Sequence, residues 1–224
     1  MTTMDIREII LQRRSIRRFR PDPVPPDLLR ELLDLARWSP SWGNTQPWQV
    51  YVLTGEPLER FRQANQEQLQ NGVAPAPEIE MPQEWPANLK SRYVGVGKDV
   101  LTALGIPRED KAARIRYALD MFGLFGAPCL IVVCVPAALP RAYAALDVGL
   151  FLQTFCLAAA ARGIATCALA ASVNYPQLLR RLAPVPEDAT IVIGAAVGYP
   201  DADVPVNGFS RSRAGLDEFT VWVG

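Results

Sequence analysis

The stretch from Tyr143 to Ala161, YAALDVGLFLQTFCLAAAA, is the feature that most limits how this chain can fold. It is apolar almost all the way round the helical circle and rich in alanine, so it reads as a helix without a solvent face of its own. Such a helix has to be covered, either in the core or against a second subunit. Its longest apolar run, Val148 to Ala161, is interrupted by Gln153 and Thr154. That run is shorter than the ~20 residues needed to span a bilayer, so a buried helix is expected and no membrane is implied. Arg162-Gly163 supplies the stop.

The elements expected around this helix alternate in type. Asp5 to Gln12 has isoleucines at helical spacing, and Pro26-Asp27 opens a helix that runs to about Arg37 with a broad leucine face. Trp48 to Thr54 alternates like a strand, and Gly55-Glu56-Pro57 starts a helix that reaches about Gln70. Asn71 to Pro86 carries four prolines and reads as a long loop of the kind that forms lids or substrate walls. Helices are expected at Leu89 to Gly105 and Arg108 to Met121. Cys129 to Val135 (CLIVVCV) is a continuous apolar run, as for a strand buried on both faces. Ile164 to Ala170 and Ala189 to Gly198 read as further strands. Between them lies a short helix from Tyr175 to Leu182, with Asn174 as its expected N-cap. Phe219 to Val223 reads as a last strand. The expectation is one domain over 1–224 of the α+β kind, an α/β-type mixed sheet of about five strands flanked by helices. A variable excursion is expected at about 71–125 and an extended C-terminal arm at about 200–224.

Composition removes several chemistries. The 224 residues include no histidine, which excludes Ser-His-Asp and Cys-His catalysis and His-ligated zinc. If the chain is an enzyme, its hard chemistry belongs to a cofactor. Lys+Arg and Asp+Glu balance at 23 each, so net charge gives no reason to expect nucleic acid. The four cysteines sit in apolar surroundings without a CxxC pair and read as buried, reduced thiols, as in a cytoplasmic protein. Met1-Thr2-Thr3-Met4 leads into the first helix without a signal-peptide core.

Two stretches carry chemistry. Arg13-Arg14-Ser15-Ile16-Arg17-Arg18-Phe19 gathers forked cations around a hydroxyl, which suits a phosphate; a solvated basic run is the plain alternative. Trp38-Ser39-Pro40-Ser41-Trp42-Gly43-Asn44-Thr45-Gln46-Pro47-Trp48 packs prolines, tryptophans, hydroxyls and amides between a helix and a strand. It cannot be regular helix and reads as an ordered loop presenting polar groups to a small molecule.

These two stretches, the buried A-L-D-V-G-L-F-L-Q-T helix with R-G-I-A-T-C after it, and the ending G-Y-P-D-x-x-x-P-V-N-x-F-x-R-x-R-x-x-L-D-E-x-x-x-W together resemble the FMN-dependent nitroreductase family, in order along nearly the whole chain. The resemblance implies an intertwined homodimer with FMN at the interface, reduced by NADH or NADPH and reoxidised, ping-pong fashion, by a nitroaromatic or quinone-like acceptor. It implies that Arg13 and Ser15 hold the phosphate and ribityl end, with Arg14 beside them and Arg211 and Arg213 returning from the tail to clamp the phosphate. Arg17 would face the N1–O2 edge of the flavin. Pro40, Ser41, Trp42, Asn44 and Gln46 would come from the partner subunit. Ala168, Leu169 and Ala170 would lie along the ring, with a backbone N–H near N5. No side-chain acid or base is needed at the hydride step and no metal is implied, which agrees with a chain lacking histidine. Better-known bacterial members carry a glutamate-glycine pair where this chain has Ala170-Ala171.

Trp42, Phe122 and Phe125, with Trp85 and Tyr93, are candidates to line an acceptor pocket, although core packing competes for each aromatic. Arg92 and Lys90 could meet an acidic substituent, with solvated surface the default. Two other readings remain. On the same fold the chain could be a reductive dehalogenase, gripping an amino acid with Glu84, Lys90 and Tyr93, or a flavin-fragmenting enzyme. Outside enzymology, its arginine runs could bind a polyanion, against which the zero net charge argues.

Overall fold

The computed structural model describes residues 5–224; Met1 to Met4 and their junction into the first helix lie outside the described residues. Asp5 caps helix α1 (Ile6–Gln12), accepting from the Arg7 N–H. Helix α2 (Pro26–Ala36) follows, started by a proline in the first turn where no donor is missed. Strand β1 (Gln49–Thr54) runs directly into α3 (Gly55–Gln70). After a long loop come α4 (Ala87–Ala103) and α5 (Lys111–Phe122), then β2 (Cys129–Pro136), α6 (Arg141–Ala161) and β3 (Ala165–Leu169). Helix α7 (Pro176–Leu182), β4 (Ala189–Gly198) and the single turn α8 (Pro205–Gly208) complete the order.

The four strands form one sheet in the order β1-β2-β4-β3, and every pairing is antiparallel. The fold is α+β, but the sheet has four strands rather than about five. A single parallel bridge, Ser15 to Thr166, adds the N-terminal segment to the outer edge of β3. The apolar run of β2 comes from two covered faces, not from parallel pairing. Leu130, Val132 and Cys134 face a core that includes Leu58 and Phe61 of α3 and Leu178 and Leu179 of α7. Cys129, Ile131, Val133 and Val135 face one built from α2 and α6. Asn174 is not the cap of α7: Tyr175 holds that position, and no side chain caps the helix.

The tail is the other correction. Phe219 to Val223 forms no strand with its own chain, and Val221 and Trp222 are 86% and 80% exposed. An alternating apolar segment becomes a strand only where a partner edge is in reach.

The long loop is no free lid over its first half. The Glu78 carboxylate pairs with Arg180 at 2.6 Å and accepts the Ile191 N–H at 2.6 Å. The β2–β4 register slips at this point, from Val133–Ile193 to Cys134–Ile191, so Val192 is the extra residue of a bulge. Glu78 thus takes up a backbone donor beside that bulge. The Tyr175 hydroxyl donates to the Val73 carbonyl (3.0 Å), and Ala76 N–H to that of Asn174 (2.8 Å).

Helix α6 is long and apolar enough to cross a membrane by length and composition. It is covered on one side only: Val148, Phe151, Phe155 and Ala159 pack into the core, while Tyr143, Leu146 and Leu150 are exposed. Of the two places expected for this helix, the core holds half of it, and the other half is free to meet a second subunit.

Candidate active site

Helix α1 ends at Arg13, and the next residues run along β3, where Ile16 N–H donates to the Thr166 carbonyl at 3.0 Å. The edge strand therefore fixes the direction of the basic run. The tail is brought to the same place by one amide. Asn207, buried to 6% exposure, accepts the Arg17 N–H through Oδ1 (2.8 Å) and donates through Nδ2 to the carbonyls of Arg18 and Asp201 (2.7 Å each). Its own carbonyl accepts from Arg14 Nη1. Arg211 then reaches back to donate to the carbonyls of Arg13 and Leu11.

The result is a cavity of about 710 Å³ lined by Arg13, Arg14, Ser15, Arg17, Arg211 and Arg213, brought together from opposite ends of the sequence. Arg92 joins them from α4, and Asp99 and Glu218 are the two carboxylates present. Glu218 is already engaged, accepting from Arg92 at 2.7 Å and from the Gly215 N–H at 2.7 Å. Burial, and then the neighbouring guanidiniums of Arg14, Arg213 and Arg13, hold the Arg211 pKa below the ordinary arginine value. Arg13 Nε is buried without a partner. Crowded cations and an unpaired buried donor fit a bound anion of high charge, such as a phosphate. Arg17 lies 5.9 Å from the Phe209 ring centre, so the same residues offer a cation and an aromatic face together.

A second cavity, about 970 Å³, opens between α4 and α5 and shares Arg17 and Val96 with the first. Tyr93 and Tyr117 line it. Burial raises the Tyr117 phenol pKa, opposed by the Arg17 guanidinium beside it.

The loop before β1 lies elsewhere. Trp42 donates its N–H to the buried Asp147 carboxylate (3.1 Å), and its ring packs 5.0 Å from that of Tyr143. Ser39 Oγ lies 2.8 Å from Thr154 Oγ1. The loop is thereby fastened to α6. It is locally tight: Gly43, Asn44 and Gln46 all take positive φ (54°, 58° and 49°), and Ser41 Oγ accepts the Gln46 N–H at 2.9 Å. Pro40, Trp42, Asn44 and Gln46 are exposed and Ser41 half-buried, and none of the five lines either cavity.

Ala168 is exposed on the edge of β3, two residues along from Thr166, the bridge partner of Ser15, with Leu169 buried and Ala170 half-buried after it. Phe122 and Phe125 are corrections. At 5% and 3% exposure they belong to the core, Phe122 against Tyr175 and Phe125 against Tyr117, so neither ring forms a cavity wall. Trp85 stacks on Tyr93 at 6.0 Å. Of Glu84, Lys90 and Tyr93, only Tyr93 lines a cavity, which gives the amino-acid grip no support. Sequence reasoning assigned no role to Asn207, Phe209 or Asp147. Asn207 and Phe209 stood inside the P-V-N-x-F motif and Asp147 inside the apolar helix, where a lone carboxylate is itself a signal.

A model of the nitroreductase family matches residues 10–199. A 4-nitrobenzoate reductase of Pseudomonas putida is 32% identical over 224 residues, covering 100% of this chain and 98% of the relative. Among solved structures, an FMN and NADPH-dependent nitroreductase NfnB from Sphigopyxis sp. strain HMH superposes with a TM-score of 0.94 at 32% identity, over 99% of this chain and 100% of that one. The FMN-dependent nitroreductase NfnB from Mycobacterium smegmatis, solved in complex with NADPH, gives 0.91 at 31% identity, covering 97% of each. With the motifs in order and the fold in place, this chain belongs to the nitroreductase family.

Proposed function

We propose that this chain is an FMN-dependent oxidoreductase that takes reducing equivalents from NADH or NADPH and reduces nitroaromatic or quinone-like acceptors in a ping-pong cycle. The observation that carries the reading is the arginine cavity, where an unpaired buried Arg13 Nε and mutually repelling guanidiniums await a dianion. The NfnB relatives, described as FMN and NADPH enzymes, support it. Bound FMN would supply hydride acceptance and donation at N5, chemistry that no protein side chain supplies.

Each residue then has a role. Arg13, Arg14, Ser15, Arg211 and Arg213 bind the phosphate and ribityl end by charge-assisted bonds. Arg17 would place its charge at the N1–O2 edge and so favour the reduced cofactor. Ala168, Leu169 and Ala170 would lie along the ring and offer it a backbone N–H.

The working unit is a homodimer of single-domain subunits with two equivalent sites. The exposed apolar face of α1, α2 and α6 supports this: Ile6, Ile10, Leu35, Trp38 and Leu146 are 46–76% exposed, and such patches mark interfaces. Pro40, Ser41, Trp42, Asn44 and Gln46, fastened to that face, complete the partner's site. The buried, unpaired cysteines support a cytoplasmic setting.

The test is the visible spectrum of the purified protein under argon, before and after one equivalent of NADPH or NADH. Flavin bands that bleach and return on adding a nitroarene are expected. A colourless protein that FMN does not reconstitute would overturn the reading. A bound flavin that neither nucleotide bleaches would shift it to the dehalogenase or flavin-fragmenting alternative.

A further inference from the structure

The second cavity has a charge that the FMN reading leaves unused. Four cations line it: Arg17 at the mouth it shares with the first cavity, then Lys98, Arg108 and Arg114 further along. No aspartate or glutamate lines it. Among the described residues none of the four cations is in an ion pair. In a chain whose formal net charge is zero, a pocket holding four positive charges and no carboxylate is a concentrated anion trap. Its remaining walls are apolar and aromatic, from Val100, Leu101, Ile106 and Tyr117. Those surfaces take a ring or a methylene stem, with a charged end directed to the cations.

We propose that this cavity is a subsite for the anionic group of a reactant whose reacting end stacks near Arg17. The ligands are Lys98 and Arg108, with Arg114 holding the turn that presents Arg108 by donating to the Arg108 carbonyl (3.0 Å). The anion is either a carboxylate on the acceptor's aromatic ring or the 2′-phosphate that separates NADPH from NADH; both offer oxygen lone pairs to forked or point-charge donors. The proposal rests on the reading of the neighbouring cavity as the FMN site, and it names what that site discriminates. Lys98 and Arg108 are exposed and carry no element of the core, so their replacement leaves the fold intact.

The test compares wild type with Lys98→Gln/Arg108→Gln, both as the FMN-loaded protein, using two pairs of reactants: 4-nitrobenzoate against nitrobenzene, and NADPH against NADH. The double variant is expected to lose about tenfold in kcat/KM for the anionic member of one pair, with its neutral or less charged counterpart changed less than about twofold. Loss confined to 4-nitrobenzoate assigns the subsite to the acceptor's carboxylate, and loss confined to NADPH assigns it to the 2′-phosphate. Calorimetric binding of unreactive benzoate and 2′-AMP gives a readout independent of turnover, and the same member should weaken. Both ratios unchanged, or both members of each pair falling together, would overturn the proposal. A protein that holds FMN and turns over NADH with nitrobenzene while showing no change in either ratio loses this inference alone. One that holds no FMN loses the reading beneath it.

Discussion

The arginine cavity and the loop before β1 carry the same kind of chemistry but are built in opposite ways. The cavity closes on itself. Residues from both ends of one chain meet there, and backbone carbonyls of Leu11, Arg13, Arg18 and Asp201 and the amide of Asn207 hold them. The loop is equally well held, by Asp147 and by Ser39 beside Thr154, yet its residues Pro40, Trp42, Asn44 and Gln46 are exposed and line neither of the two cavities. Rigidity without a ligand surface makes sense if the surface is supplied by another copy. The contrast sharpens the proposal: one half of the proposed site is held within the chain, and the other half would be completed by assembly.

Perturbing each region separately should break or sharpen this contrast. The largest effect belongs to neither half. Glu78→Ala takes from the buried Arg180 its nearer carboxylate, leaving Glu187 at 3.6 Å, and from Ile191 its acceptor, so unfolding stability should drop by about 3 kcal/mol in urea titration. FMN affinity of the folded fraction should stay as it was. If that affinity falls too, the cavity depends on the long loop and the separation into two halves is too simple.

Arg211→Ala removes a proposed phosphate ligand and the cation that ties the tail to Arg13. FMN affinity should fall about 100-fold by fluorescence titration, while sedimentation still shows the dimer. Dissociation of the dimer would mean that the cavity, too, is built by assembly.

Asp147→Ala leaves the Trp42 N–H without its acceptor, at a cost of about 1–3 kcal/mol. Turnover should fall about tenfold with FMN affinity changed less, and Asp147→Asn, which keeps an acceptor oxygen, should restore most of it.

A change of pH should reach both halves together. Burial pushes the thiols of Cys129 and Cys134 up to about 12 and that of Cys167 to about 11, from an ordinary 9.0. The unfolded chain releases these protons first, so stability is complete below about pH 9 and declines as pH rises from there toward 12. Urea midpoints that hold steady between about pH 7 and 8 and decline by about pH 10 would fit. A rise over that alkaline range would contradict the burial of the thiols.

The sequence made some of this legible for physical reasons. Local pattern was enough for α3 and β4, whose observed bounds match the expected ones, Gly55–Gln70 and Ala189–Gly198. That the basic run would line a cavity was legible because forked cations crowded around a hydroxyl are uncommon. The antiparallel pairing of β2 was hidden, since a strand covered on both faces looks the same in either orientation. Phe122 and Phe125 were ambiguous because an aromatic near a site and one in the core have the same composition. Asn207 could not have been ranked from sequence. An amide gains its role from three partners that meet only in the folded chain.

The central claim, that each site joins the cavity of one chain to the loop of another, is tested most directly by complementation. One variant disables the cavity (Arg13→Ala/Arg211→Ala). The other removes the loop amides (Asn44→Gly/Gln46→Gly), using glycine because both positions take positive φ. Each alone should be inactive. Co-expressed with different tags, they should form hybrids in which one of two sites is intact, recovering about a quarter of wild-type turnover from random pairing. Hybrids as inactive as their parents would show that cavity and loop do not serve a shared site across two chains.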